Sequence, residues 1–224
     1  MSKKINQFSP IRTGSTLVYN YLKYLLNDYQ ICKQHNIDKN QMNIITIITI
    51  RHPYNSILST ILVNDIKKEE YFNDNYINLD KLNLLITDEI LIKTIEHYLK
   101  YGGNDLLSTN FKNLKNKFIL KYEDIVDNHY LIIEEIEKII KINFNIIDKE
   151  KILEKMKISN IKQNYSDKFK EFKNYDKNTH LHGQHISEFL GNTNFKNILS
   201  NEKIKILKQN SKLNQIINKF NYDV

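Results

Sequence analysis

Residues 43–50 read NIITIITI, a β-branched run with no charged residue and no alternation of apolar with polar positions. A strand with one wet face alternates, so this run predicts a strand buried on both faces, the kind found in a parallel sheet with helices on either side. Such a strand needs partners and two helical layers, and the rest of the chain offers them. Residues 5–8, 29–33 and 118–122 are further strand candidates. Residues 15–26 carry Leu17, Tyr21, Leu22, Leu25 and Leu26 on one side of a helix. Pro53 fits the first turn of a helix over 53–64, where its missing N–H costs nothing. Helices are also expected over 82–101, stopped by Gly102-Gly103, over 128–142 with Asp127 or Asn128 as cap, over 148–157 capped by Asp148, and over 201–220. Residues 67–80 read as loop. Residues 159–197 mix polar, aromatic and histidine residues without a period, which predicts a long loop or lid. The expected fold class is α/β: one domain over 1–224, a mostly parallel central sheet flanked by helices.

Composition excludes several alternatives. No apolar run approaches the ~18–20 residues that span a bilayer, and no apolar stretch follows Lys3-Lys4 as in an export signal, so no membrane span is expected. The single cysteine, Cys32, cannot form an internal disulfide or a multi-cysteine metal site, and a reducing, cytoplasmic compartment fits it. The formal charge is +7, but the lysines are interspersed with acidic residues, as in Glu134-Glu135-Ile136-Glu137-Lys138, and read as solvated faces.

Alanine and tryptophan are absent and Ile, Asn and Lys dominate, a drift toward AT-rich codons that makes any one lysine or asparagine uninformative. Residues that resist the drift carry more weight. Of 33 basic residues two are arginine, Arg12 and Arg51, and the two prolines, Pro10 and Pro53, lie within two positions of them. A guanidinium offers a planar fork of donors matched to phosphate-like oxyanions. The first of these segments, Ser9-Pro10-Ile11-Arg12-Thr13-Gly14-Ser15-Thr16, is a turn between strand and helix whose amides and helix end favour an anion. It lacks the first glycine and the following lysine of a nucleoside triphosphate loop. The second places Arg51 at the end of the most apolar strand and Ser59 two turns into the next helix, on the side turned back toward it. Together they predict a ligand with two separate anionic groups at the carboxyl ends of the strands.

These motifs resemble those of sulfotransferases that use 3′-phosphoadenosine 5′-phosphosulfate (PAPS). Arg12-Thr13-Gly14-Ser15-Thr16 is similar to that family's phosphosulfate loop, and Arg51, Pro53 and Ser59 match its R-x-P-x-x-x-x-x-S signature for the 3′-phosphate. Lys121-Tyr122-Glu123-Asp124 resembles a later strand end whose tyrosine lies near the adenine. Gly191 to Asn197 weakly resembles a G-x-W-K-N region, with Phe195 in place of tryptophan and no preceding Arg-Lys-Gly, so ligand contacts are not carried over there. The resemblance implies a P-loop-like sulfotransferase architecture, with Arg12, Thr13, Gly14, Ser15, Thr16, Arg51, Ser59 and Tyr122 on the donor and no metal. It implies sulfuryl transfer from PAPS to a hydroxyl or amine on a small-molecule, carbohydrate or peptide acceptor, leaving 3′,5′-ADP (PAP).

Many members carry K-x-H at the end of the second strand. Lys33-Gln34-His35 stands there, closer to Arg51 than is usual, and gives a candidate base in His35 with Lys33 and Arg12 on the developing charge. Glu69, Glu70, Glu89 and Glu96 are the alternative bases. His180, His182 and His185 form H-x-H-x-x-H without cysteine or an evident scaffold, and read as a loop cluster in preference to a zinc site. Two rival functions stay open: a P-loop-like kinase using ATP and Mg²⁺, and a non-catalytic basic module that binds nucleic acid.

Overall fold

The computed structural model describes residues 3–38, 40, 42–66, 72–73, 76–157, 159–161, 176, 178–180 and 194–223. Its centre is a parallel sheet of four strands, β1 (Lys3–Phe8), β2 (Tyr29–Gln34), β3 (Ile45–Ile50) and a last strand, Lys117–Lys121, in the order β2, β1, β3, last. The β-branched run is an inner strand, as its composition demands. Period-two alternation sends Ile45 and Ile47 to one face and Ile48 and Ile50 to the other, where each joins a separate apolar cluster. Ile5 and Phe8 of β1 divide in the same way.

Helix α1 (Ser15–Leu25) crosses from β1 to β2 and buries Val18, Tyr21 and Leu22 against Ile5 and Ile47. The opposite face is covered by α2 (Pro53–Asn64), which buries Ile57, Leu58 and Ile61 against Ile48 and Ile50. Each such side chain contributes roughly 1.5–3 kcal/mol on leaving water, so the two clusters fix the orientation of both helices on the sheet. Pro53 occupies the first turn of α2, and His52 caps it by accepting the Tyr54 N–H at Nδ1.

Residues 67–80 are not all loop: β4 (Phe72–Asn73) and β5 (Tyr76–Ile77) pair antiparallel, and α3 (Leu79–Leu85) begins before 82. The single helix expected over 82–101 is two, because Thr87 caps α4 (Asp88–Tyr98) by accepting the Ile90 N–H. The Leu99–Gly103 turn follows, non-helical at Tyr101 and Gly102, and the chain continues through α5 (Asn104–Leu107) and α6 (Thr109–Asn113). The edge strand Lys117–Lys121 is β6. It leads into α7 (Tyr122–Ile125) and α8 (Tyr130–Ile140), whose Ile132, Ile133, Ile136 and Ile139 join the α1 cluster. Helix α9 (Ile146–Lys155) is capped by Asn145, which accepts the Asp148 N–H, so Asp148 lies inside the helix. The last helix is broken by Asn210 into α10 (Asn201–Gln209) and α11 (Ser211–Lys219), Asn210 taking the Leu213 N–H. Most of the proposed lid, with His182 and His185, lies outside the described residues. No helix among the described residues is long and apolar enough to cross a membrane.

Candidate active site

Because all four strands run parallel, their carboxyl ends meet at one edge of the sheet, with Phe8 beside Gln34 and Ile50 beside Lys121. The residues that follow those ends are the ones the sequence singled out: the 9–14 turn after β1, His35 after β2, Arg51 after β3 and Tyr122 after β6. Strand order reverses at β1, since the chain moves first to β2 and then back past β1 to β3 and β6, which is where open α/β sheets form a ligand crevice.

The turn is held from three directions. Ser9 N–H donates to Gln34 O, Ile11 N–H to Tyr101 O, and the buried Thr13 hydroxyl to Pro10 O. Arg12 has φ of 59° and Gly14 of 79°. The left-handed region costs a residue with a Cβ on the order of 1–2 kcal/mol, so Arg12 is held there by its surroundings. Gly14 precedes α1 without a side-chain cap, and the first N–H groups of that helix emerge beside the turn. Ser15 and Thr16, in that first turn, are buried.

Arg51 is 4% exposed, its guanidinium lies 4.5 Å from the Tyr122 ring centre, and one of its N–H groups reaches Arg12 O at 3.5 Å. The Tyr122 ring also lies against Gly14: a Cβ built there would come within 2.5 Å of Cδ2. Tyr122 therefore joins the two arginine segments. Burial, reinforced by the charge of Arg51, lowers the Arg12 pKa to about 10. Burial also lowers that of Arg51, against the pull of Tyr122, Glu123 and Tyr222. Two desolvated, mutually repelling cations at strand ends form a site that an oxyanion relieves on both counts. Ser59 is buried in α2, and one turn earlier the Ser56 hydroxyl is buried with no hydrogen-bond partner among the described residues.

On the other side of β1, Lys33 donates to the Thr16 hydroxyl at 2.7 Å, tying β2 to the first turn of α1, and burial lowers its pKa to about 8. His35 Nδ1 lies 2.8 Å from Ser9 O. A carbonyl only accepts, so the proton sits on Nδ1 and the Nε2 lone pair is left for a donor from elsewhere. Burial, with Lys33 adding to it, depresses the His35 pKa and keeps the ring neutral, against the Ser9 bond. Of the alternative bases, Glu89 and Glu96 are exposed on α4, and Glu96 lines a surface groove with Asn64, Lys93 and His97; Glu69 and Glu70 lie outside the described residues.

Three residues that support the site are not evident from the sequence. His52, besides capping α2, places Nε2 at 3.0 Å from Asp223 O and stacks on Phe195 at 4.8 Å, which makes Phe195 a packing residue behind Arg51. Glu123 accepts the His52 N–H and the Tyr222 hydroxyl, closing the segment after α11 onto the end of β3. Gly102, with φ of 108°, lies against the Pro10 backbone and His35 O, where a Cβ would come within 2.7 and 2.8 Å. The motif-based signal for His52 and Glu123 was their place inside the Arg51 and Tyr122 motifs; for Gly102 it was a glycine pair that reads equally as a helix stop.

No family model matches this sequence, and no curated protein matches it. Its structure is similar to that of mouse sulfotransferase SULT7A1, solved as a complex with PAP, with a TM-score of 0.60 and 15% sequence identity over 98% of this chain and 90% of that one. The α/β domain, a four-stranded parallel sheet flanked by helices, has the sulfotransferase fold.

Proposed function

We propose that this protein transfers a sulfuryl group from PAPS to a hydroxyl or amine acceptor, releasing 3′,5′-ADP. The observation that carries the reading is the meeting of Arg12, Gly14, Arg51 and Tyr122 at one sheet edge. Two guanidinium groups from separate strand ends, Arg51 buried and Arg12 half-buried, suit a ligand with two anionic groups better than a single phosphate. On this reading the amides of Thr13, Gly14, Ser15 and Thr16 hold the 5′-phosphate, while Arg51 and Ser59 bind the 3′-phosphate that distinguishes this donor from ATP. Tyr122 lines the adenosine side.

His35 Nε2 takes the proton from the acceptor as its oxygen or nitrogen bonds to sulfur. The bond between sulfur and the 5′-phosphate oxygen breaks, and the electron pair leaves with 3′,5′-ADP. Lys33 and Arg12 neutralise the charge that grows on the leaving oxygen. Lys33 suits that role because its bond to Thr16 fixes the ammonium beside the first turn of α1.

Thermal unfolding with 3′,5′-ADP, compared with ATP, ATP plus Mg²⁺ and AMP, tests the reading. A ligand at 100 times its dissociation constant adds about 2.7 kcal/mol of stability, so 3′,5′-ADP is expected to raise the midpoint and AMP to do so far less. Stabilisation by ATP with Mg²⁺ alone would replace this reading with a kinase. Salt-sensitive oligonucleotide binding without a response to 3′,5′-ADP would replace it with a nucleic-acid-binding module.

A further inference from the structure

Asp176 and residues 178–180 lie against α1 on the side of Lys33. Asp176 ties these residues together, its carboxylate accepting the Asn178 N–H at 2.7 Å and its carbonyl the His180 N–H at 2.7 Å. His180 adopts φ of 55°, and its ring meets Tyr19 edge to face at 4.9 Å. The Lys33 ammonium lies 5.9 Å from the same Tyr19 ring and bonds Thr16. One residue holds the arrangement from below. Asn20 is fully buried in α1, and its amide donates both hydrogens, to Thr16 O at 2.7 Å and to Thr179 O at 2.9 Å. Its oxygen has no hydrogen-bond partner among the described residues.

Codon drift fills surfaces with asparagine but does not explain one that is fully buried in a helix. A buried amide with an unsatisfied oxygen costs roughly 1–3 kcal/mol. What Asn20 gives in return is a direct link between the first turn of α1, next to the arginine loop, and the backbone of the histidine turn.

Resting on the sulfotransferase reading, we propose that His180 is a second imidazole at the transfer site, facing the sulfuryl group held near Lys33 and able to hydrogen-bond the acceptor oxygen, with Asn20 as the residue that positions it. The charged groups that act on this imidazole are Lys33 of β2, Lys23 of α1 and Asp176 of its own turn. Burial, with the two lysines adding to it, disfavours its cationic form, against the pull of Asp176. The two negative charges of the donor's phosphosulfate, placed beside Lys33, offset the lysine charge and must move the His180 titration to higher pH.

The experiment is an NMR titration of the histidine side chains in the full chain, alone, with 3′,5′-ADP and with PAPS in the absence of acceptor, His180→Gln serving to assign the signal. PAPS is expected to raise the His180 midpoint by about half a pH unit and 3′,5′-ADP, which lacks the sulfuryl group, by less. His97, on the outer face of α4, is expected to stay put. Binding of both nucleotides with His180 unmoved would overturn the proposal and leave the sulfotransferase reading standing. Failure of the wild-type chain to bind either would overturn that reading, and this one with it. In Asn20→Leu, similar in size but without an amide, 3′,5′-ADP should still stabilise the protein while the His180 response disappears; a retained response would remove Asn20 from its positioning role.

Discussion

Around Arg51 the chain is closed on itself, whereas around Lys33 a few contacts suffice. Arg51 sits behind Tyr122, and the backbone that carries it is fastened by His52 and Glu123 to the segment after α11, with Phe195 stacked behind. Lys33 lies in the edge strand β2 and His35 just after it, both half-buried, Lys33 bonded to Thr16 and His35 to Ser9. The difference follows from what each side is asked to do. Gripping a fixed phosphate rewards rigidity, since every ordered contact is one the ligand need not organise. Moving a proton rewards a ring with one nitrogen anchored, the other available, and a pKa low enough to remain unprotonated.

The sharpest way to break this division is His35→Ala. Sulfuryl transfer should fall by about 10²- to 10⁴-fold, the usual worth of a general base, while the affinity for 3′,5′-ADP measured by calorimetry stays within about twofold. An equal loss of both would mean that the Lys33 side also holds the donor. Arg51→Ala should do the reverse. 3′,5′-ADP binding should weaken by about 10- to 150-fold, equivalent to roughly 1.5–3 kcal/mol, and AMP binding much less. Unchanged 3′,5′-ADP affinity in that variant would remove Arg51 from the donor site.

The smallest effects lie in pH and read the two sides separately. Burial holds the His52 pKa down to about 4 from 6.5, so between those values the unfolded chain binds a proton that the folded chain refuses, and stability falls as pH drops through that window. Lys33 behaves alike at the alkaline end: its pKa of about 8 against 10.5 means that stability rises as pH climbs between the two. His52→Asn should flatten the acid limb of a denaturation series and Lys33→Met the alkaline limb, each leaving the other in place. Loss of both limbs in one variant would show that the packing that shifts one pKa depends on the packing that shifts the other.

The sheet was legible because its signal is local. An unalternating β-branched run cannot be satisfied by anything except burial on both faces, and β3 is such a strand. Arg12 and Arg51 stood out because a compositional drift had erased arginine elsewhere, and parallel strands then bring them together without further information. The helix breaks at Thr87 and Asn210 were hidden because a capping side chain interrupts an apolar period without changing it. The contacts of Asn20, Glu123 and Tyr222 were hidden for a different reason. Their partners are 159, 71 and 99 positions away in the chain, and an asparagine or glutamate in this composition announces nothing until those partners are known.

Gly102 brings these threads to one point. Its α-carbon is wedged where the arginine loop at Pro10 and the carbonyl of His35 close on each other, with room for a hydrogen and nothing larger. Replacement of surface lysines and asparagines can proceed generation after generation without cost. A single methyl at position 102 would lever the grip apart from the base, so the two halves of the site share one hinge of bare backbone.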